Sequence, residues 1–157
     1  MNRSRLLRGG AALAVLFALG GCAHFVVLRD ALSASEHNDL GVVYEAGGQP
    51  SLAMAEYRKS LRLEPHQSSA WINRGNLDAA AGRWPAAEKC FRRALKEAPA
   101  DGDAANNLAV ALLHQGRSRD ARGFALAAVA AGGERDSVYR ATLDEIDRAG
   151  PQRSPSR

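Results

Sequence analysis

The chain has little cysteine: Cys22 and Cys90 are the only two in 157 residues, which rules out a disulfide framework, and no CxxC pair occurs. Its four histidines, His24, His37, His66 and His114, are scattered, and no two have the spacing that puts metal ligands on one helical face. There is no GxSxG elbow and no phosphate-binding glycine loop. The pairs Gly47-Gly48 and Gly132-Gly133 lack the strand-to-helix context of a nucleotide site. These absences leave no constellation for catalysis, so no enzyme activity, metal, cofactor or small-molecule substrate is expected. Acidic residues are also missing from the first 21 positions, which carry Arg3, Arg5 and Arg8. Removing that stretch takes three of the 21 basic residues and none of the 17 acidic ones, leaving 18 against 17. The remainder is nearly neutral, and a nucleic-acid partner loses its main support.

At its start the chain has a targeting pattern instead. After the arginines comes an apolar run, GGAALAVLFALGG from Gly9, and then Leu19-Gly20-Gly21-Cys22. Those four residues resemble the bacterial lipobox, where a signal peptidase cuts before the cysteine. The resemblance implies a lipoprotein signal peptide over 1–21, diacylglycerol on the Cys22 sulfur, and usually an N-acyl chain. Two or three acyl chains anchor firmly, because each buried methylene contributes about 0.8 kcal/mol. The other reading is an uncleaved anchor, since Gly9 to Leu28 is close to the roughly 20 apolar residues that span a bilayer. Residues 22–33 read as a lipidated cysteine and tether. No aspartate follows Cys22 (the next residue is Ala23), which favours the periplasmic side of the outer membrane.

From Ala34 the chain repeats itself. Gly41, Gly75 and Ala109 stand 34 residues apart, as do Gly48, Gly82 and Gly116, and Ala53, Ala87 and Ala121. Tyr57 to Phe91 and Pro65 to Pro99 keep the same step. Agreement of several columns at one offset signals a repeat architecture. The stretch from Ala70 to Pro99 resembles a tetratricopeptide repeat (TPR), with Trp71, Gly75, Gly82, Ala87, Phe91, Ala94 and Pro99 on that family's signature positions. Gly41 and Tyr44 hold such positions in the first repeat.

The resemblance implies an all-α solenoid of helix-turn-helix repeats, about 34–67, 68–101 and 102–133, closed by a capping helix over 134–149. Residues 150–157 read as a disordered tail. The glycine column implies a close helix crossing at Gly75, and Gly82 a helix end. Leu52, Ala53, Ala55, Tyr57, Leu61 and Leu63 are expected on the buried side of the second helix. Tyr139, Leu143 and Ile146 form the stripe of the capping helix. The second repeat departs from the family at Arg74, where leucine is usual, and Asp78, where tyrosine is common; four residues apart, the two could pair. Cys90 is expected to be a packing residue.

In TPR arrays the first helices line a concave groove where partner peptides bind. Here those positions carry Asn38, Val42 and Glu45, then Asn73 and Asn76, then Asn106, Asn107, Val110 and His114. Asparagine both donates and accepts, so a row of amides can pair with a peptide backbone or can bridge neighbouring helices. The chaperone-binding subclass needs a basic clamp, but the corresponding places hold Asn38, Val42, Asp103 and Asn107. Arg58, Lys59 and Arg62 recur as Arg92, Arg93 and Lys96 on the second helices, either as a solvated face or as a ridge for anionic lipid. The expectation is a non-catalytic, lipid-anchored adaptor of the bacterial envelope that binds a peptide-like segment of another envelope protein. The alternatives are an accessory subunit of an envelope enzyme such as a peptidase, or a pilus or secretion assembly lipoprotein.

Overall fold

The computed structural model describes residues 30–150, together with the backbone of residues 13–17 and 24–28. The chain divides into two units, Met1–Leu32 and Ser33–Arg157. In the first, β1 (Leu13–Phe17) pairs antiparallel with β2 (His24–Leu28), in a register running from Leu13 opposite Leu28 to Phe17 opposite His24. The sequence pattern predicts a signal and tether here, without a strand. Both runs, LAVLF and HFVVL, combine aliphatic, β-branched and aromatic residues, which suit a pleated ladder. Cys22 and the tail 151–157 lie outside the described residues. No helix among the described residues is long and apolar enough to cross a membrane.

The described residues of the second unit form seven helices: α1 (Ala34–Ala46), α2 (Pro50–Leu63), α3 (Ser68–Ala80), α4 (Trp84–Glu97), α5 (Gly102–His114), α6 (Ser118–Ala131) and α7 (Asp136–Ala149). Local chemistry sets their ends. Ser33 caps α1 in a capping box: its hydroxyl accepts from the Glu36 N–H, and the Glu36 carboxylate accepts from the Ser33 N–H at 2.7 Å. Pro50 and Pro85 sit in the first turns of α2 and α4, where the missing N–H would have had no helical partner. The first helices α1, α3 and α5 all run out into Gly48, Gly82 and Gly116, at φ of 68°, 70° and 73°. That left-handed turn lets the next N–H reach back to the helix, as when Arg83 N–H donates to the Asp78 carbonyl at 2.8 Å.

Each helix pair closes on one size-matched contact. A Cβ built on Gly41 would lie 2.4 Å from the Tyr57 ring, and one on Gly75 2.6 Å from the Phe91 ring. The aromatic ring therefore packs directly against a bare Cα. One repeat on, the same two positions are Ala109 and Ala125, both fully buried, so two methyl groups do the work of a glycine and a ring. The main core joins Ala87 and Phe91 of α4 to Leu108, Leu112, Ala121 and Ala125, with Ile146 of α7 closing it. Tyr139 covers Gly102 and Ala105, and its hydroxyl donates to Asp103 at 2.8 Å. Ala53, Tyr57 and Leu61 are buried as expected, but Leu52, Ala55 and Leu63 are exposed. The helical period instead turns Glu56 and Ser60 inward.

Candidate functional site

The face shared by the first helices carries the amides. Asn73 Nδ2–H donates to Asn38 Oδ1 at 2.9 Å, and Asn107 Nδ2–H donates to Asn76 Oδ1 at 3.0 Å. Each bond ties one first helix to the next, α1 to α3 and α3 to α5. Asn38 also donates to Asp39 at 3.4 Å. Asn106 stands apart: it is buried, and its Oδ1 has no hydrogen-bond partner among the described residues. The amides thus bridge neighbouring helices, one of the two roles open to them. Asn73 Oδ1, Asn107 Oδ1 and Asn76 Nδ2 have no hydrogen-bond partner among the described residues. Val42, 46% exposed, adds an apolar spot on α1. His114 stacks face to face on Trp84, with ring centres 3.8 Å apart and planes 3° apart.

The opposite side of α3 differs in kind. At 100° per residue, Trp71, Arg74 and Asp78 point roughly away from Asn73 and Asn76. Asp78 is buried and pairs with Arg83 at 2.8 Å rather than with Arg74, because the glycine turn brings Arg83 back over the helix end. Arg74 lies over the Trp71 ring, 5.5 Å from its centre, and its buried Nε has no hydrogen-bond partner among the described residues. Trp71 Nε1–H donates to the Pro65 carbonyl at 2.9 Å. Trp71 and Arg74, with Pro85, Ala86, Lys89, Cys90 and Arg93 of α4, line a cavity of about 750 Å³. Burial, with Asp78 nearby, pushes the Cys90 thiol up to about 11. It therefore stays protonated at neutral pH and is no nucleophile.

The carboxylates of the second helices are paired, whereas Arg58, Arg62 and Lys96 have no ion-pair partner among the described residues. Lys59 meets Glu56 at 2.9 Å, and Glu56 also contacts the buried His37 Nδ1 at 2.7 Å. Arg92 meets Glu88 at 2.8 Å, and Arg93 forms an ion pair with Glu97 at 3.2 Å. Arg117 reaches back from α5's end to Glu88 at 3.0 Å, so Glu88 joins the second and third repeats. Among the signature residues, Ala53, Tyr57, Ala87, Phe91 and Ala121 are fully buried or nearly so. Tyr44 packs against the Ala53–Tyr57 cluster, and Pro65 and Pro99 stand two residues past the ends of α2 and α4. No group of three His, Cys, Asp or Glu among the described residues is placed to hold a metal.

The family model for the tetratricopeptide repeat matches residues 72–136. No curated protein sequence matches the chain. Among solved structures, the first TPR of Spaghetti (RPAP3) bound to HSP90 peptide SRMEEVD is 17% identical, with a TM-score of 0.71 over 76% of this chain and 94% of that one. The TPR2B domain in the pHsp70 complex of yeast Sti1 is 18% identical, with a TM-score of 0.70 over 73% and 96%. The Sgt2 TPR domain from Aspergillus fumigatus is 18% identical, with a TM-score of 0.67 over 73% and 77%. A family model matched over residues 72–136, a 34-residue step and the shared arrangement of helix pairs give the helical unit of this chain the tetratricopeptide repeat fold.

Proposed function

We propose that this protein is a non-catalytic adaptor of a bacterial envelope, anchored by lipid on Cys22 at the periplasmic side of the outer membrane. In this reading it holds a peptide-like segment of another envelope protein against the amide face of α1, α3 and α5. The observation that carries it is the pair of amide bridges, which leave Asn73 Oδ1, Asn107 Oδ1 and Asn76 Nδ2 fixed in place and unspent. Solved TPR domains of the same arrangement hold peptides, as the RPAP3 domain does with SRMEEVD. Asn38 and Asn106 are buried supports of this face, and His114 edges it.

Each free amide gains about 0.5–1.5 kcal/mol by exchanging water for a peptide group, so binding is modest and spread over several residues. A shared membrane compensates by confining both partners. The test captures the partner by envelope crosslinking and compares two double variants. Asn76→Ala with Asn107→Ala should cut capture about tenfold, while Arg58→Glu with Arg92→Glu leaves it intact; the reverse pattern moves the site to the second helices. Anchoring is checked separately: Cys22→Ser should abolish labelling by a fatty-acid analogue, and equal labelling of both forms refutes the lipid.

A further inference from the structure

We propose that the cavity between α3 and α4 is a binding site for a phosphomonoester group, carried by a soluble molecule or by a lipid. Its volume, about 750 Å³, falls in the range of small-ligand sites. Of its seven lining residues, three are cationic and none is acidic. Arg74 is the central one. Its Nε is buried without an acceptor, although buried donors in folded proteins are nearly always satisfied. The Trp71 ring, its centre 5.5 Å from the guanidinium carbon, attracts the cation without supplying an acceptor.

A count of charges selects the ligand. Arg93 is balanced by Glu97, and Asp78 is spent on Arg83. Cys90 is a neutral thiol. The partly buried Arg74 and the solvent-exposed Lys89 remain, with no ion-pair partner among the described residues, so the cavity presents two cations to an anionic group. A phosphomonoester carries about −1.5 to −2 at neutral pH, whereas a carboxylate or a phosphodiester carries only one charge. The guanidinium fork also matches phosphate oxygens in pairs.

The position is special to one repeat. At the place of Arg74 the first and third repeats have Leu40 and Leu108, and Leu108 is fully buried in the core. The site lies on the side of α3 away from the amides and is independent of the adaptor reading.

The test titrates the full chain in detergent micelles with phenyl phosphate, followed by calorimetry. Arg74→Leu should weaken binding about tenfold or more, and Lys89→Gln about threefold. Arg74→Leu restores the residue of the neighbouring repeats, so an undiminished melting temperature shows that the fold is kept. Benzoate and methyl phenyl phosphate should bind about tenfold more weakly than phenyl phosphate. Micelles doped with phosphatidate identify the source: competition with phenyl phosphate that vanishes in Arg74→Leu assigns a lipid, and its absence assigns a soluble ester. No heat with phenyl phosphate, equal affinity in Arg74→Leu, or benzoate binding as tightly would overturn the proposal.

Discussion

The second and third repeats place their helices on the same 34-residue step but fill the space between them differently. Where the third repeat has Ala105, Leu108, Leu112 and Phe124, the second has Trp71, Arg74, Asp78 and Cys90. Of the first set, Leu108 and Leu112 are fully buried in the main core with Phe124 packed against it, and Ala105 packs with Ala128 and Tyr139. The second leaves a cavity bounded by cations. Fold identity resides in the columns where helices touch, Gly75 with Phe91 and Ala109 with Ala125. The next column outward is free to hold either core or site. A solenoid allows this because each repeat draws stability from its neighbours as well as from itself.

Exchanging residues between the two repeats gives the largest expected effect. Leu108→Arg puts an unpaired charge into the closed core and should lower stability by about 4 kcal/mol or more in urea unfolding. The reciprocal Arg74→Leu should not destabilise at all, since it removes a charge whose buried Nε lacks an acceptor. Equal losses from both would mean that the two columns are equivalent after all.

The next effect concerns the contact column. Gly75→Ala drives its methyl group into the Phe91 ring and should cost about 1–3 kcal/mol, and Phe91→Ala alone opens a hole costing about 3–5 kcal/mol. The double variant recreates the Ala109/Ala125 pair of the third repeat. It should lose less than the sum of the single variants by at least about 1 kcal/mol, and strict additivity would separate the two positions.

The smallest effect is electrostatic and lies between the two repeats. Burial pushes the Glu88 carboxyl up, but hydrogen bonds from Arg92, Gln115 and Arg117 outweigh this and hold it below its ordinary 4.5. A carboxyl lowered in the folded state adds stability that is fully present above about pH 4.5 and is lost as pH falls through the lowered value. Melting temperature should therefore drop as pH falls below 4.5, and Glu88→Gln should flatten that slope. An unchanged slope would show that Glu88 does not couple the repeats.

The fold of the helical unit was legible because its signals are local or periodic: glycine turns, first-turn prolines and a constant step. The capping helix stripe of Tyr139 and Ile146 was legible for the same reason. What stayed hidden depended on partners distant in sequence. Asn73 finds Asn38 35 residues away, and Asn107 finds Asn76 31 residues away. Neither bond has a sequence signature, so the amides could be noted but not paired. Arg74 and Asp78 were visible as departures from the family. The i,i+4 rule matched them to each other, whereas the glycine turn delivers Arg83 to Asp78 and leaves Arg74 to face the cavity. Apolarity alone points Leu52 and Leu63 inward, whereas the helical period turns them out.

The packing of a ring against a bare Cα has a consequence for assembly. Helical repeats of nearly equal length can mispair, a second helix docking on the wrong first helix, and tandem-repeat proteins often misfold in this way. Here the contact works as a key. If α4 docked on α5, Phe91 would meet the Ala109 methyl group, and if α6 docked on α3, Ala125 would leave the space above Gly75 empty. One mispairing overpacks and the other underpacks, so both lie above the native pairing in free energy. The glycine and the ring thereby specify how closely two helices approach and keep the third repeat's helices from exchanging with those of the second, whereas Gly41 with Tyr57 and Gly75 with Phe91 share one key.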